Sequence, residues 1–176
     1  MRHSFGQTLL FAFGICFVCS VLVSAAAVGL ADRQKANKLL DEQRNVLEVA
    51  GLLADDEKAS REEINRRFTE SLDPRIIALP SGDPADGIDP MTFDQRKASR
   101  DPEASHPAPQ NRAKVRRVPN HARIFELKEG EEVTGIIVPI EGMGLWSVLY
   151  GYLALDADAR TIRGITYYEH AETAGL

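Results

Sequence analysis

Residues 9–30, LLFAFGICFVCSVLVSAAAVGL, run for 22 positions without a charge, and that commits the start of the chain to lipid. At about 1.5 Å per residue such a helix reaches across a hydrocarbon core of about 30 Å. A cleaved secretory signal is the competing reading, because Arg2 supplies a basic start and Ser24-Ala25-Ala26-Ala27 resembles a small-residue cleavage site. The run nevertheless continues through Val28, Gly29 and Leu30, beyond the usual apolar core of such a signal, and this favours a retained anchor. Basic residues near its ends are Arg2 on one side and Arg33, Lys35, Lys38 and Arg44 on the other. Their count alone leaves the C-terminal part in the cytoplasm.

Both cysteines, Cys16 and Cys19, lie inside the apolar run, where cysteine behaves as a small hydrophobe. Everything after residue 30 is cysteine-free, which excludes a disulfide framework and a thiolate metal centre from the polar part. Beyond the anchor, Ala36, Leu39, Leu40, Val46, Leu47 and Ala50 recur at near-helical spacing, so residues 31–72 read as a helical stalk and a short helix. Ser60-Arg61-Glu62-Glu63 fits a capping box that opens the short helix. Residues 73–80 read as a strand, centred on Arg75-Ile76-Ile77-Ala78-Leu79.

Residues 81–120 hold six of the nine prolines and few large apolar groups, the composition of a disordered or loop insertion. Between Met91 and Arg117 seven cations face Asp94, Asp101 and Glu103, a surplus of four positive charges in a chain of net −5. Apart from Phe93 no aromatic interleaves them, so nucleic acid is not the expected partner. Lipid headgroups or another protein suit the segment better. After it, His121 to Leu127 alternates as a strand, Val133 to Ile140 is a strongly apolar strand interrupted by Gly135, and Tyr150 to Leu155 and Thr161 to Tyr168 follow as strands; their short connections make them antiparallel neighbours in an α+β layout.

Candidate chemistry gathers at the hairpin and the chain's end. Glu141-Gly142-Met143-Gly144-Leu145-Trp146-Ser147 follows a buried strand, and an indole beside glycines can cover a flat ring or anchor a core. The Gly-x-Gly lacks the third glycine and following helix of a dinucleotide fingerprint. His3, His106, His121 and His170 have no serine or cysteine nucleophile in a recognisable setting, which argues against a hydrolase.

The ordered series Gly144-Leu145-Trp146-Ser147, Gly151-x-Leu153-Ala154-Leu155, Gly164-Ile165-x-Tyr167-Tyr168-Glu169-His170 and Glu172-Thr173-x-Gly175-Leu176 resembles the C subunits of the Na+-translocating NADH:quinone oxidoreductase. Asn45-Val46-Leu47, Ala50-Gly51-Leu52 and Asp73-Pro74-Arg75 extend the resemblance over nearly the whole chain; the G subunit of the Rnf electron-transport complex is similar but matches less well. The resemblance implies a single-pass protein of the bacterial inner membrane. Its soluble domain would be periplasmic, against the basic-residue count, and it would relay electrons through FMN among the other subunits of a sodium-exporting complex. It also implies that residues 121–176 are the N-terminal part of an FMN-binding domain, with Gly144, Leu145, Trp146, Ser147, His170, Glu172, Thr173, Gly175 and Leu176 lining the flavin. Backbone donors of the Glu172-Thr173-x-Gly175-Leu176 loop and the Thr173 hydroxyl would meet the ring's polar edge, and Glu172 would balance charge near it. No catalytic or metal-binding residue is expected.

Two departures qualify the carry-over. Ala174 stands where the family has proline, and no Ser-Gly-Ala-Thr segment, the family's covalent FMN attachment motif, occurs in the sequence. Thr173 is not that acceptor, so the chain reads as a fragment that ends before it. The reading from a different class is an anchored, non-redox binding or assembly module.

Overall fold

The computed structural model describes residues 5–54 and 56–173. It divides into two units, Met1–Asp41 and Glu42–Leu176. Helix α1, Phe5–Val49, begins in the first and ends in the second. In the first unit the apolar side chains point outward, with Leu10 73% and Phe11 70% exposed. A surface of that kind is stable in hydrocarbon, and α1 is long and apolar enough to cross a membrane.

In the second unit α1 closes with a Schellman turn. Gly51, at φ 75°, donates its N–H to the Glu48 carbonyl at 3.0 Å, and Leu52 donates to Leu47 at 2.9 Å. A left-handed residue is needed there, and glycine adopts it without a Cβ penalty. Helix α2, Arg61–Ser71, opens where Ser60 Oγ accepts the Glu63 N–H at 3.2 Å. The other half of the expected capping box does not form, because the Glu63 carboxylate is taken by Arg66 and Arg67.

Strand β1, Leu72–Ala78, follows α2 directly. Pro74 lies inside it, on an edge of the sheet, where proline costs the ladder least. The sheet is completed by β4 (His121–Glu129), β5 (Glu132–Met143), β6 (Val148–Asp156) and β7 (Ile162–Glu169). Its order is β1-β4-β5-β6-β7, all neighbours antiparallel. Val46 and Leu47 of α1, Ile64 and Phe68 of α2, and Phe125, Ile137 and Tyr152 of the sheet form the core. Phe68 meets Phe125 edge-on at 5.9 Å, and Phe125 meets Tyr152 at 6.0 Å. On the opposite sheet face Ile165 and Tyr167 remain about half exposed.

The insertion is more ordered than its composition suggested. It carries α3 (Gln95–Arg100) and a two-stranded ribbon of β2 (Ser105–Pro107) and β3 (Arg117–Pro119). Polar contacts hold it. Arg117 donates to the carbonyls of Ser105 and Pro102, and Arg96 forks onto the Glu169 carboxylate at 2.9 and 3.0 Å.

Candidate functional site

Strands β5 and β6 are joined by the four residues Gly144–Ser147, with Met143 opposite Val148. Gly144 donates its N–H to the Ser147 carbonyl at 2.7 Å, closing the turn. Leu145 and Trp146, at its apex, are each 70% exposed. Trp146 is therefore not a core anchor; the turn lifts it off the sheet.

Glu172 fixes this turn from 25 residues downstream. Its carboxylate accepts the Ser147 N–H at 2.8 Å, the Ser147 hydroxyl at 2.9 Å and the Trp146 N–H at 3.1 Å. The Ser147 hydroxyl oxygen accepts the Ala171 N–H at 2.9 Å, and His170 Nδ1 accepts the Glu172 N–H at 3.3 Å. Desolvation pushes the Glu172 carboxyl up, but the Ser147 donors and the Trp146 and Leu145 backbone outweigh it and hold the group below the usual carboxylate range. A Cβ on Gly144 would lie 2.6 Å from Glu172 Oε1, so a side chain there displaces the clamp.

Six of the nine residues singled out from the sequence thus come together: Gly144, Leu145, Trp146, Ser147, His170 and Glu172. Thr173 follows, exposed; Gly175, Leu176 and the variant position Ala174 lie outside the described residues. The Trp146 and Ser147 backbone donors face the Glu172 carboxylate, which braces the turn.

A neighbouring segment carried no sequence signal of its proximity. The Ala113 carbonyl accepts the Met143 N–H at 2.7 Å, and the Ala113 Cβ lies 3.4 Å from where a side chain on Gly142 would begin. The insertion loop is thereby seated beside the turn. Elsewhere, Gln43, Phe68, Leu72, Met91 and Lys128 help line a cleft of about 440 Å³, and the Gln43 side-chain Oε1 is buried without a partner among the described residues. None of the sequence-selected residues reaches that cleft.

Fold and site define a class: an α+β protein with one membrane-type helix and an antiparallel sheet that presents a braced apolar turn. No protein-family model matches the chain. It is 45% identical to the C subunit of the Na(+)-translocating NADH-quinone reductase of Yersinia pestis over 179 residues, covering 99% of this chain and 66% of that protein. The C subunits of Vibrio anguillarum and Pseudomonas aeruginosa are 43% and 37% identical, each over 99% of this chain and 67% of theirs. The crystal structure of Shewanella oneidensis NqrC superimposes with a TM-score of 0.71 at 34% identity, over 80% of this chain and 64% of that one. The C subunit from Parabacteroides distasonis, at 23% identity and a TM-score of 0.60, shares the fold. The chain belongs to the NqrC family, the C subunits of the Na(+)-translocating NADH-quinone reductase. It spans about two thirds of the length of the curated relatives it matches.

Proposed function

We propose that this chain serves as the anchored electron-relay subunit of an oxidoreductase complex that carries electrons from NADH to quinone and exports sodium, with FMN held at the β5–β6 turn. The soluble unit would stand in the periplasm, tethered to the inner membrane by α1. A large domain crosses largely regardless of flanking charge, so the basic residues after the anchor do not oppose this.

The observation that carries the reading is the braced turn. Leu145 and Trp146 are held 70% exposed by a carboxylate that engages two consecutive backbone N–H groups. Two large apolar side chains kept in water cost free energy unless something flat covers them, and the isoalloxazine ring of FMN suits them. When bound, FMN supplies reversible electron uptake and release. The chain's own residues then have separable tasks: Leu145 and Trp146 form one wall and exclude water from it. Glu172 and Ser147 keep that wall in place. Thr173, exposed beside them, is the side chain available to the ring's polar edge, because the turn's Trp146 and Ser147 donors are already engaged.

A chimera tests the proposal: residues 1–173 of this chain replace the matching portion of a relative's NqrC in membranes lacking that protein. Restored sodium-dependent quinone reduction by NADH is expected. An assembled complex that carries the chimera but passes no electrons would overturn the reading and leave the assembly-module alternative.

A further inference from the structure

At the end of the β6–β7 ladder nearest the turn, the register slips. Tyr150 pairs with Glu169 and Gly151 with Tyr167, so Tyr168 has no residue opposite it. A bulge of this kind disrupts the ladder locally and bends the strand. It lies between the sheet and the brace, since Ser147 stands three residues before Tyr150 and Glu172 three residues after Glu169. The Ser147–Glu172 contact is therefore made by two short arms rooted in a disrupted ladder. One side chain grips all three residues at that root. Arg96, on α3 of the insertion, lays its guanidinium over the Tyr150 ring, donates to the Tyr168 hydroxyl at 3.4 Å and forks onto the Glu169 carboxylate. Its side chain is only 26% exposed, so these contacts are screened less than those of a free surface charge.

We propose that Arg96 is a positioning residue for the candidate site: by locking the bulge it fixes the roots of the Ser147–Glu172 brace and so sets how Leu145 and Trp146 are presented. The inference rests on the flavin reading above for what that wall receives, and adds to it a residue that acts on the wall from the insertion. A guanidinium suits the task because one planar group stacks on a ring and forks onto a carboxylate at once, which an ammonium does not.

Trp146 is the only tryptophan of the chain, so its emission follows the turn with no flavin added. The readout is the acid midpoint at which Glu172 releases the turn in the full chain in detergent micelles, identified as the step that Glu172→Gln abolishes. Donors held less squarely stabilise a carboxylate less, so Arg96→Gln should move this midpoint up, toward the ordinary glutamate range. Arg96→Lys, which keeps the charge and loses the stack and fork, should move it in the same direction. Glu169→Gln, which weakens the fork and keeps the stack, should move it by less. Gly87→Ala strains a residue with no atom within 4 Å of the added Cβ; it lowers stability alone and should leave the midpoint in place. An unmoved midpoint in Arg96→Gln overturns the positioning role. So does a midpoint that Arg96→Lys returns to that of the unmodified chain, because charge alone would then account for it, and so does an equal shift in Gly87→Ala, which would trace it to general loosening. Should Arg96→Gln fail to fold, Glu169→Gln decides, and the absence of an upward shift there overturns the role. With no flavin present, each of these outcomes leaves the flavin reading standing, and failure of the chimera leaves the role of Arg96 at the turn standing.

Discussion

The guanidinium of Arg96 lies over the ring of Tyr150 with its central carbon 3.6 Å from the centroid. A residue of the insertion is thereby stacked on β6, while the same group forks onto Glu169 at the end of β7. Burial lowers its affinity for the proton, but Glu169 and Tyr168 more than offset this, so it stays charged throughout the accessible pH range. Arg96→Ala should cost about 1–3 kcal/mol, read as a lower urea midpoint. Amide exchange should quicken across residues 91–117. Arg96→Lys, which keeps charge but loses the planar stack, should recover less than half; full recovery would show that charge alone holds the insertion.

Ionised Glu172 braces the turn, and its carboxyl titrates below the usual range in the folded protein. A depressed folded value means that the brace is fully present above the ordinary glutamate range and is lost as pH falls through the depressed value. Trp146 emission should therefore hold steady down to pH about 5 and change only on the acid side of the ordinary glutamate titration. Glu172→Gln should remove that acid step. An unshifted midpoint would mean the carboxylate is not held by the turn.

Gly164 has no room for a methyl group, since a Cβ would lie 2.5 Å from the Val49 carbonyl oxygen. Backbone cannot swing aside as a side chain does, so Gly164→Ala should destabilise the second unit by about 1–3 kcal/mol. The thermal midpoint reports it. Gly87→Ala meets no atom within 4 Å but sits at φ 87° and should cost about 1 kcal/mol through backbone strain alone.

Glu42 is shared. It pairs with Arg123 and accepts the Tyr152 hydroxyl at 3.0 Å. Burial and the neighbouring Glu42 charge push the Tyr152 phenol up, so it remains a donor at all ordinary pH values. Tyr152→Phe should cost about 1 kcal/mol. Glu42→Ala should cost more, about 3 kcal/mol, because it leaves Arg123, with 17% of its side chain exposed, without its anion. Chemical denaturation of the two variants ranks them; the reverse order would refute the sharing.

Much of this architecture was legible because its signals are local. The uncharged run up to Leu30, the Ser60 cap and the apolar run of Val133 to Ile140 are each written in consecutive residues. The brace on the turn was not legible, since Glu172 and Ser147 are 25 residues apart and nothing near either names the other. The insertion misled for a related reason: its order rests on specific polar contacts such as Arg117 to Ser105, whereas composition reports mainly apolar burial. The side-by-side placement of Ala113 and Met143 is a product of tertiary packing that no periodicity encodes.

The strand order β1-β4-β5-β6-β7 has a temporal side. From β5 onward each strand pairs with the one synthesised just before it, so these hairpins zip quickly once they emerge. Strand β1 is different: Leu72 must await Leu127, and the closing of that 55-residue span is the slow, entropy-limited event of assembly. A nascent chain therefore passes through an interval in which β1 is waiting with its edge bare, and it is in that interval that a chaperone has most to protect.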